Sequence, residues 1–381
     1  MKLRPFAILS SIFVCFSTSG PAIAATLVVD NDFADCPQAD FNSIQAAVVV
    51  AQPGDKILVC RGVYLETVLL NKPDLRIEAQ AAPGEVVLQA PAGPVAPLFG
   101  FHLLNTTGVL VQEFTVHGFG DANIRIEGGS GNTLRKNVTT LSGMGSGIRV
   151  INSSANVVEQ NSSSANQGAG ITVTGAAAFN NIIRHNETFL NGQAGLQIVT
   201  SGLGNVLFRN DSHENPVGLR NVVSAHGSVI ENNHVFANVQ GIIVGASTGV
   251  TVRNNRSERN TEFGIRLQNG AANNLVEKNE VLQNDQDGIR LQPAVAAGSA
   301  PVVVNIVQMN HVRRNGRDGI RVFDSLAAEN TIERNVIRES GEHDAHDDSV
   351  GPGTGGTANF WINNKCETDN RLGLLCEHPD Q

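Results

Sequence analysis

The sequence predicts an all-β chain that winds into one solenoid, and three observations lead to this fold class. A Gly-Ile or Gly-Leu pair recurs at intervals of 23 to 25 residues, with one interval of 31. Two series of asparagines, five residues apart, run in step with these pairs. The short apolar runs alternate apolar and polar residues, as at 264–267, which is typical of strands rather than helices. Such a period indicates stacked coils.

The repeated positions are regular enough to be read directly from the sequence. The pairs begin at Gly147, Gly170, Gly195, Gly218, Gly241, Gly264, Gly288 and Gly319. The first asparagine series is Asn161, Asn186, Asn210, Asn233, Asn255, Asn279 and Asn310, and the second is Asn166, Asn191, Asn215, Asn238, Asn260, Asn284 and Asn315. Three short strands fit into about 23 residues at roughly 3.3 Å per residue. We therefore expect three parallel sheets around one core, with repeat coils over 132–340.

The asparagines are interpreted as structural. Identical amides stacked about 4.8 Å apart hydrogen-bond up the stack, and a buried asparagine satisfies the backbone of an inward turn. Asparagine also tolerates the left-handed backbone conformation that such turns need. The glycine before each aliphatic residue is expected to mark a tight turn for the same steric reason.

Residues 1–24 predict a secretory signal peptide. Lys2 and Arg4 precede an apolar stretch from Phe6 to Phe16, and small residues end at Ala24. The stretch is too short to span a membrane. We expect a secreted or periplasmic protein cleaved near Ala24, a monomer that is peripheral to a membrane at most. The mature domain is assigned to 25–381, with an N-terminal cap and first strands over 25–66 and a C-terminal cap over 341–381.

Four cysteines remain after the signal peptide, and an even number in an exported chain predicts disulfides with three pairings open. Proximity in the sequence favours Cys36 with Cys60 and Cys366 with Cys376, one bridge at each end of the solenoid. The solenoid ends expose unpaired sheet edges, which caps protect.

The charge balance argues against a nucleic-acid partner. The 27 basic and 36 acidic residues give a net charge of −9, and removal of two basic residues with the signal peptide leaves 25 against 36, or −11. A chain this acidic lacks the general basic surface that nucleic-acid binding needs.

The segment 41–66 is the most specific local pattern. Ser43 is placed to cap a short amphipathic helix that ends near Ala51 and covers the end of the barrel. Pro53-Gly54-Asp55 then turns the chain into the first strand at Ile57. This segment resembles the opening of the pectin-lyase-like right-handed parallel β-helix proteins, which include pectin methylesterases.

The resemblance, together with the repeat, covers nearly all of the mature chain. It implies a single-stranded right-handed parallel β-helix, with the hand also expected from the rule for parallel crossovers. Enzymes of this superfamily usually act on acidic polysaccharides as lyases, hydrolases, esterases or epimerases. The Gly-x-x-Asp-Phe-Ile-Phe-Gly type motif of the methylesterases is absent from this chain, which lowers the expectation of that activity.

An outward column of residues is the first candidate for chemistry. The residue after each Gly-Ile or Gly-Leu pair is Arg149, Thr172, Gln197, Arg220, Ile243, Arg266, Arg290 and Arg321. Asp287 and Asp318 lie just before two of these pairs. Arginine recognises carboxylates bidentately, and a coil spacing of about 4.8 Å is close to the rise of one sugar unit. The functional interpretation is a groove for a polyuronate, with an acidic residue as base or calcium ligand; the structural alternative is a ladder of Arg–Asp salt bridges.

A second column serves as a comparison. Two residues before an asparagine of each coil, the chain places Arg135, Glu159, Arg184, Phe208, Glu231, Arg253, Glu277, Gln308 and Glu333. The alternating signs predict pairing between neighbouring strands, which stabilises the solenoid without forming a site.

The run 342–348 is the second candidate for chemistry, because it places two imidazoles among four carboxylates. His343, Asp344, His346 and Asp347 are the candidate ligands for a divalent cation, and His346 is the candidate for acid–base work. The segment 344–347 is similar to the Asp-Pro-His-Asp/Glu motif of mannuronan C5-epimerases, with Ala345 where that family has proline. The alternative is a solvated acidic loop. A copper-binding role, as in some periplasmic β-helix proteins, is disfavoured by the small number of methionines.

Two function classes follow from these candidates. One is an enzyme that acts on acidic polysaccharide, lyase-like or epimerase-like, through Arg266, Arg290, Arg321, Asp287, Asp318 and His346, with no certain cofactor and calcium as the metal considered. The other is a non-catalytic module that binds glycan, wall or matrix. The enzyme hypothesis requires Arg290, Asp318 and His346 to lie on one face. The insertion at 293–301, which explains the 31-residue interval, is either an apolar lid over that face or an inert loop.

Overall fold

The computed structural model describes residues 24–82, 84–293 and 300–377, and over these ranges it confirms the predicted parallel β-solenoid. Three long sheets, here named A, B and C, run along the solenoid axis. Each coil contributes one strand to each sheet. The predicted signal peptide and most of the predicted lid lie outside the described residues.

The strand bounds follow the coils in order. Sheet A contains Thr26–Val29, Lys56–Val59, Arg76–Ala79, Leu110–Gln112, Thr133–Arg135, Val157–Glu159, Ile182–Arg184, Val206–Phe208, Val229–Glu231, Thr251–Arg253, Leu275–Glu277, Ile306–Gln308, Thr331–Glu333 and Phe360–Ile362. Sheet B contains Gly62–Leu65, Val86–Gln89, Thr115–His117, Val138–Thr140, Ser162–Ser164, Glu187–Phe189, Asp211–His213, His234–Phe236, Arg256–Glu258, Glu280–Leu282, His311–Arg313 and Val336–Arg338. Sheet C contains Val68–Leu70, Phe99–Leu104, Ala122–Glu127, Ser146–Ile151, Ile171–Gly175, Ala194–Ser201, Val217–Val222, Gln240–Gly245, Ile265–Gln268, Ile289–Gln292, Ile320–Val322 and Ala345–Asp347. A small parallel pair joins Val302–Val303 to Ala327–Ala328.

The helix at the N-terminal end forms as the sequence predicts. The α-helix Ile44–Val50 is capped by Ser43, whose side chain accepts a hydrogen bond from the Ala46 backbone N–H. Glu66 accepts further hydrogen bonds from the backbone N–H groups of Ile44 and Gln45, so a carboxylate sits at the positive end of the helix. The helix packs against the first strands and closes the barrel. A 3₁₀-helix spans Thr354–Gly356, and no described helix is long and apolar enough to cross a membrane.

The predicted asparagine ladders are present in the core. Asn161 Nδ2 donates to Asn186 Oδ1 over 3.0 Å, and Asn186 Nδ2 donates to Asn210 Oδ1 over 3.0 Å. Each Oδ1 also accepts the backbone N–H of the asparagine one coil earlier, and each Nδ2 reaches a backbone oxygen, such as Val158 O at 2.9 Å from Asn186. These amides therefore satisfy backbone groups that the turns would otherwise bury unpaired.

The structure corrects two details of the turns. The left-handed residue is not the ladder asparagine but the residue before it, such as His185 with φ 55° and Arg209 with φ 51°. The glycines before the aliphatic residues do not have left-handed backbones. A Cβ on Gly147 would collide with Ser163 Oγ, and one on Gly218 would collide with Val235 Cγ1. The prediction of tight turns at these glycines was therefore wrong, because they are required by close packing inside the barrel.

Both favoured disulfides are present, Cys36–Cys60 near the first coil and Cys366–Cys376 beyond the last.

The coils also extend over 67–131, where the sequence repeat is not apparent. Val109 and Phe114 occupy the ladder positions there, and their N–H groups donate to Asn132 Oδ1 and Asn137 Oδ1 of the next coil. The asparagine ladder therefore begins one coil after these apolar residues.

Candidate functional site

The outward column of sheet C continues without a break into the His-Asp run. Strand pairing places Arg266 beside Arg290, Arg290 beside Arg321, and Arg321 beside His346. All four side chains point away from the core because the residues on either side of each, such as Ile289 and Leu291, fill the barrel. The arginines and His346 thus form one face, and Asp318, the third residue that the enzyme hypothesis places there, is buried beneath it.

Two buried carboxylates lie beneath this face. Asp287 is fully buried, and its Oδ2 accepts a hydrogen bond from Arg290 Nε over 2.6 Å. Its Oδ1 accepts the backbone N–H of Asp318 over 3.3 Å. Asp318 is also fully buried and pairs with Arg321 Nη1 at 3.3 Å. These carboxylates hold the arginines in place, but neither is accessible to solvent. Either one could act directly as a base or calcium ligand only if the face opened.

Asp318 joins the arginine column to both imidazoles. Its Oδ1 lies 3.3 Å from His343 Nδ1 and 3.1 Å from His346 Nδ1, and it accepts the His343 backbone N–H over 3.2 Å. Burial by itself would raise the pKa of Asp318, but the hydrogen bond from His346 and the positive charges around it hold the pKa below its ordinary value. Asp318 is therefore an anion at neutral pH.

His346 is held between two carboxylates. Its Nε2 lies 2.8 Å from Asp348 Oδ1, on the opposite side of the ring from Asp318. Burial would lower the pKa of His346, but hydrogen bonds to Asp318 and Asp348 raise it above its ordinary value. Asp348 also pairs with Arg321 Nη2 at 3.2 Å. Because Asp318 is buried and Asp348 is partly exposed, Nε2 is the nitrogen nearer to solvent.

Two phenylalanines separate and orient the guanidinium groups. The Arg290 guanidinium lies 5.0 Å from the ring centre of Phe263 and 4.8 Å from that of Phe323. Arg266 also lies over Phe263, at 5.1 Å, and Arg321 lies over Phe323, at 4.3 Å. Stacking of this kind favours arginine over lysine and restricts the guanidinium planes.

The structure separates the four ligands that the sequence proposed for a metal. Asp344 turns inward, where its carboxylate accepts the backbone N–H groups of Ser340 and Glu367. Asp347 also turns inward and accepts a hydrogen bond from Trp361 Nε1 over 2.8 Å. Strand alternation places Asp347 on the core side of His346, and Asp344, which precedes the strand, is held inward by its hydrogen bonds to the backbone. The proposal that these two aspartates share a site with the histidines was therefore wrong.

A different carboxylate completes the group of candidate metal ligands. One atom from each of Asp318, His343 and His346 lies within 4.8 Å of the other two. Sequence reasoning placed Asp318 with the arginines and the histidines in a separate run, and thus missed this group. The available signal was the interval from Asp318 to His343, which is 25 residues and equals one coil of the repeat.

Residues 98–235 match the family described as the right-handed beta helix region, and residues 221–371 match the family described as periplasmic copper-binding protein (NosD). No curated protein matches the sequence.

Solved structures resemble the chain over most of its length. The mannuronan C-5 epimerase AlgE6 A-module of Azotobacter vinelandii has a TM-score of 0.70 at 17% identity, over 84% of this chain and 94% of that one. The AlgE4 A-module from the same organism has a TM-score of 0.56 at 17% identity, over 84% and 90%. The GH136 lacto-N-biosidase of Eubacterium ramulus has a TM-score of 0.60 at 11% identity, over 84% and 68%.

These identities are low enough that the likeness concerns the fold alone. The two family matches overlap and together run from residue 98 to residue 371. The three parallel sheets agree with the match to the right-handed beta helix region. The chain has the fold of the right-handed parallel β-helix proteins, and residues 98–235 match the family model of that name.

Proposed function

We propose that this protein acts on an acidic polysaccharide at the outer face of sheet C, by a lyase-like or epimerase-like reaction. The observation that carries this proposal is the in-register succession of Arg290, Arg321 and His346 above two buried carboxylates. The fold supports the proposal, since it is shared with proteins named mannuronan C-5 epimerases. We also propose that the chain is exported before it acts.

The arginines would bind the carboxylate of a uronate unit. Their side chains are largely covered, at 9% exposed for Arg290 and 13% for Arg321, so their charge acts in a medium less polar than water. Removal of the proton next to a uronate carboxylate places negative charge on that carboxylate. A guanidinium held against it stabilises this charge as it develops.

His346 is the residue proposed to exchange the proton. Buried Asp318 accepts from Nδ1, and Nε2, the nitrogen nearer to solvent, takes the proton once the substrate displaces Asp348 from it. In the forward step the C5–H bond breaks, the imidazole takes the proton, and the electron pair spreads onto the carboxylate. Return of a proton to the other face of C5 gives the epimer, whereas expulsion of the oxygen at C4 cleaves the chain. Asp287 and Asp318 are positioning residues in this scheme.

The test is proton NMR of a panel of acidic polysaccharides incubated with the mature protein. Epimerisation and cleavage alter the sugar signals differently, so a change with one polymer identifies the reaction. Line broadening without chemical change in that polymer would instead support the alternative, a non-catalytic glycan-binding module. The absence of both effects across the panel would contradict the proposal.

A metal centre is the second candidate function, and the cluster of Asp318, His343 and His346 favours it. Two imidazole nitrogens with one carboxylate oxygen suit copper or zinc better than calcium, which prefers oxygen ligands. The match to a family named for copper binding spans these residues. We propose calcium only where a bound polysaccharide supplies its own carboxylates as oxygen ligands.

The metal proposal is tested with Cu²⁺ by electron paramagnetic resonance and calorimetry. A double variant, His343→Ala with His346→Ala, should lose one bound copper and its nitrogen hyperfine pattern. His234→Ala is the matched control, because His234 also lies against two carboxylates, on sheet B, but outside any described group of three ligands. Equal copper binding by the double variant and the wild type would contradict the proposal.

A further inference from the structure

The arginines on the outer face of sheet C fall into two classes. Arg149 pairs with Asp121 at 2.9 Å, Arg290 pairs with Asp287, and Arg321 pairs with Asp318 and Asp348. Arg220 and Arg266 have no carboxylate within ion-pair distance in the described chain. They stand in one column with the paired arginines and occupy equivalent positions in their coils.

Each of the two unpaired arginines is partly withdrawn from water. Burial lowers the pKa of the Arg220 guanidinium. Burial together with the charge of Arg290 lowers the pKa of the Arg266 guanidinium, and the more distant charge of Glu262 opposes this shift only in part. Arg220 donates to the side-chain oxygen of Gln197, a neutral partner. Arg266 has no hydrogen-bond acceptor among the described residues and rests over Phe263. A half-buried charge with no carboxylate at ion-pair distance is costly in a folded protein.

The spacing of these two arginines is set by the coils. Ile243 lies between them in register and is 4% exposed, although it points outward. Two coil steps correspond to about 9.6 Å, at about 4.8 Å between paired strands. An extended glycan advances by about one unit per coil step. The two guanidinium groups therefore meet every second unit of a chain that lies parallel to the solenoid axis.

We infer that Arg220 and Arg266 are anion subsites that bind acidic groups on alternate units of a linear acidic polysaccharide, and that they anchor the chain whose end reaches His346. The inference rests on the proposed function, and it adds the orientation and length of the ligand. From Arg220 to His346 the register passes through six successive coils. A hexasaccharide therefore covers both anchors and the reacting end, whereas a trisaccharide bound at the reacting end covers only Arg290, Arg321 and His346.

The test is calorimetric binding of oligouronates of defined length, from disaccharide to octasaccharide. The wild type should bind more tightly once the oligomer reaches six units. Arg220→Gln and Arg266→Gln should each weaken hexasaccharide binding by about tenfold, as expected for loss of one charge-assisted hydrogen bond. Both variants should retain the wild-type affinity for a trisaccharide bound beside His346. Neutral oligomers of equal length should show no such dependence, and sulfated oligomers establish whether the subsites select carboxylates or accept any anion.

Arg149→Gln is the matched control. Arg149 lies in the same outward column but is paired with Asp121 and lies three coils beyond Arg220, outside the inferred footprint. An unchanged hexasaccharide affinity in Arg220→Gln and Arg266→Gln would overturn the inference, as would an equal loss in Arg149→Gln. Thermal unfolding of every variant verifies that it is folded.

The outcomes also separate this inference from the proposed reaction. The NMR assay could show turnover while the affinity for oligouronates does not depend on Arg220 or Arg266. That result would reject the subsites and leave the proposed reaction intact. Length-dependent binding that requires both arginines, without chemical change in any polymer, would support the subsites and reject the reaction.

Discussion

The outer charged column of sheet A holds ion pairs between neighbouring coils and one arginine, Arg135, whose partner is the neutral Gln112, whereas that of sheet C keeps two arginines without a carboxylate at ion-pair distance in the described chain. On sheet A, Arg184 pairs with Glu159 at 2.6 Å and Arg253 pairs with Glu231 at 2.8 Å. On sheet C, Arg220 and Arg266 have no such partner in the described ranges. Both columns are built by the same repeat and have the same strand spacing.

This difference distinguishes a stabilising surface from a binding surface. Opposite charges on neighbouring strands favour the folded state, and a column of them needs no ligand. A column of like charges repels itself, and part of that cost is recovered when an anion binds. The outer face of sheet C is also the face that ends at His346 and Asp318, so the excess positive charge and the imidazoles share one surface.

The largest expected effect tests whether the sheet C face is chemical at all. His346→Gln should reduce the rate of the proposed reaction by about 10² to 10⁴, the usual contribution of a general acid or base. Initial rates by NMR, with the polymer that responds to the wild type, measure it. The control variant His234→Gln, on sheet B, should retain the wild-type rate. If His346→Gln also retains that rate, His346 takes no part in the mechanism.

A smaller effect should appear in stability, with opposite signs on the two sheets. Arg253→Gln breaks a partly exposed pair with Glu231 and should lower the free energy of unfolding by about 0.5 kcal/mol. Arg266→Gln removes a half-buried charge that has no carboxylate partner in the described chain, and should raise the free energy of unfolding. Urea denaturation of both variants measures the difference. The contrast between the columns fails if both substitutions destabilise the protein equally.

The smallest expected effect concerns stability: the free energy that His346 contributes to folding should change with pH. Its folded-state pKa is raised, chiefly because its hydrogen bonds to Asp318 and Asp348 outweigh burial. The stabilisation is therefore full below the ordinary pKa of histidine and is lost as the pH rises through the folded-state pKa. The difference in Tm between wild type and His346→Gln should be largest at about pH 5 and should shrink towards about pH 9. A difference that grows with rising pH would contradict this assignment.

Much of the fold could be predicted because its determinants are local or periodic. Ser43 predicted the helix cap, and the cysteine positions favoured the two disulfides that are present. The asparagine series predicted the hydrogen-bonded ladders. The role of the repeated glycines was not predicted correctly, because the atoms that exclude a Cβ at Gly147 belong to Ser163, on a strand of another sheet.

The candidate site was predicted only in part. The alternation in Gly-Ile-Arg-Leu was sufficient to place Arg266 and Arg290 on an outward face. The His-Asp run was found by composition, but composition does not state which side of a strand each residue occupies. Asp344 and Asp347 therefore joined the predicted ligands, although they face the core and hold the C-terminal cap.

By itself, the sequence determined the period, the parallel strands and the identity of the outward column, because each depends on regular spacing along the chain. Only the tertiary structure decided that Asp318 meets His343 and His346, and that Arg220 and Arg266 lack the carboxylates that Arg290 and Arg321 have. These relations depend on which side chains meet when one coil lies on the next. Residues 25 to 28 positions apart become neighbours at hydrogen-bond distance through stacking, and a small change in turn length would separate them.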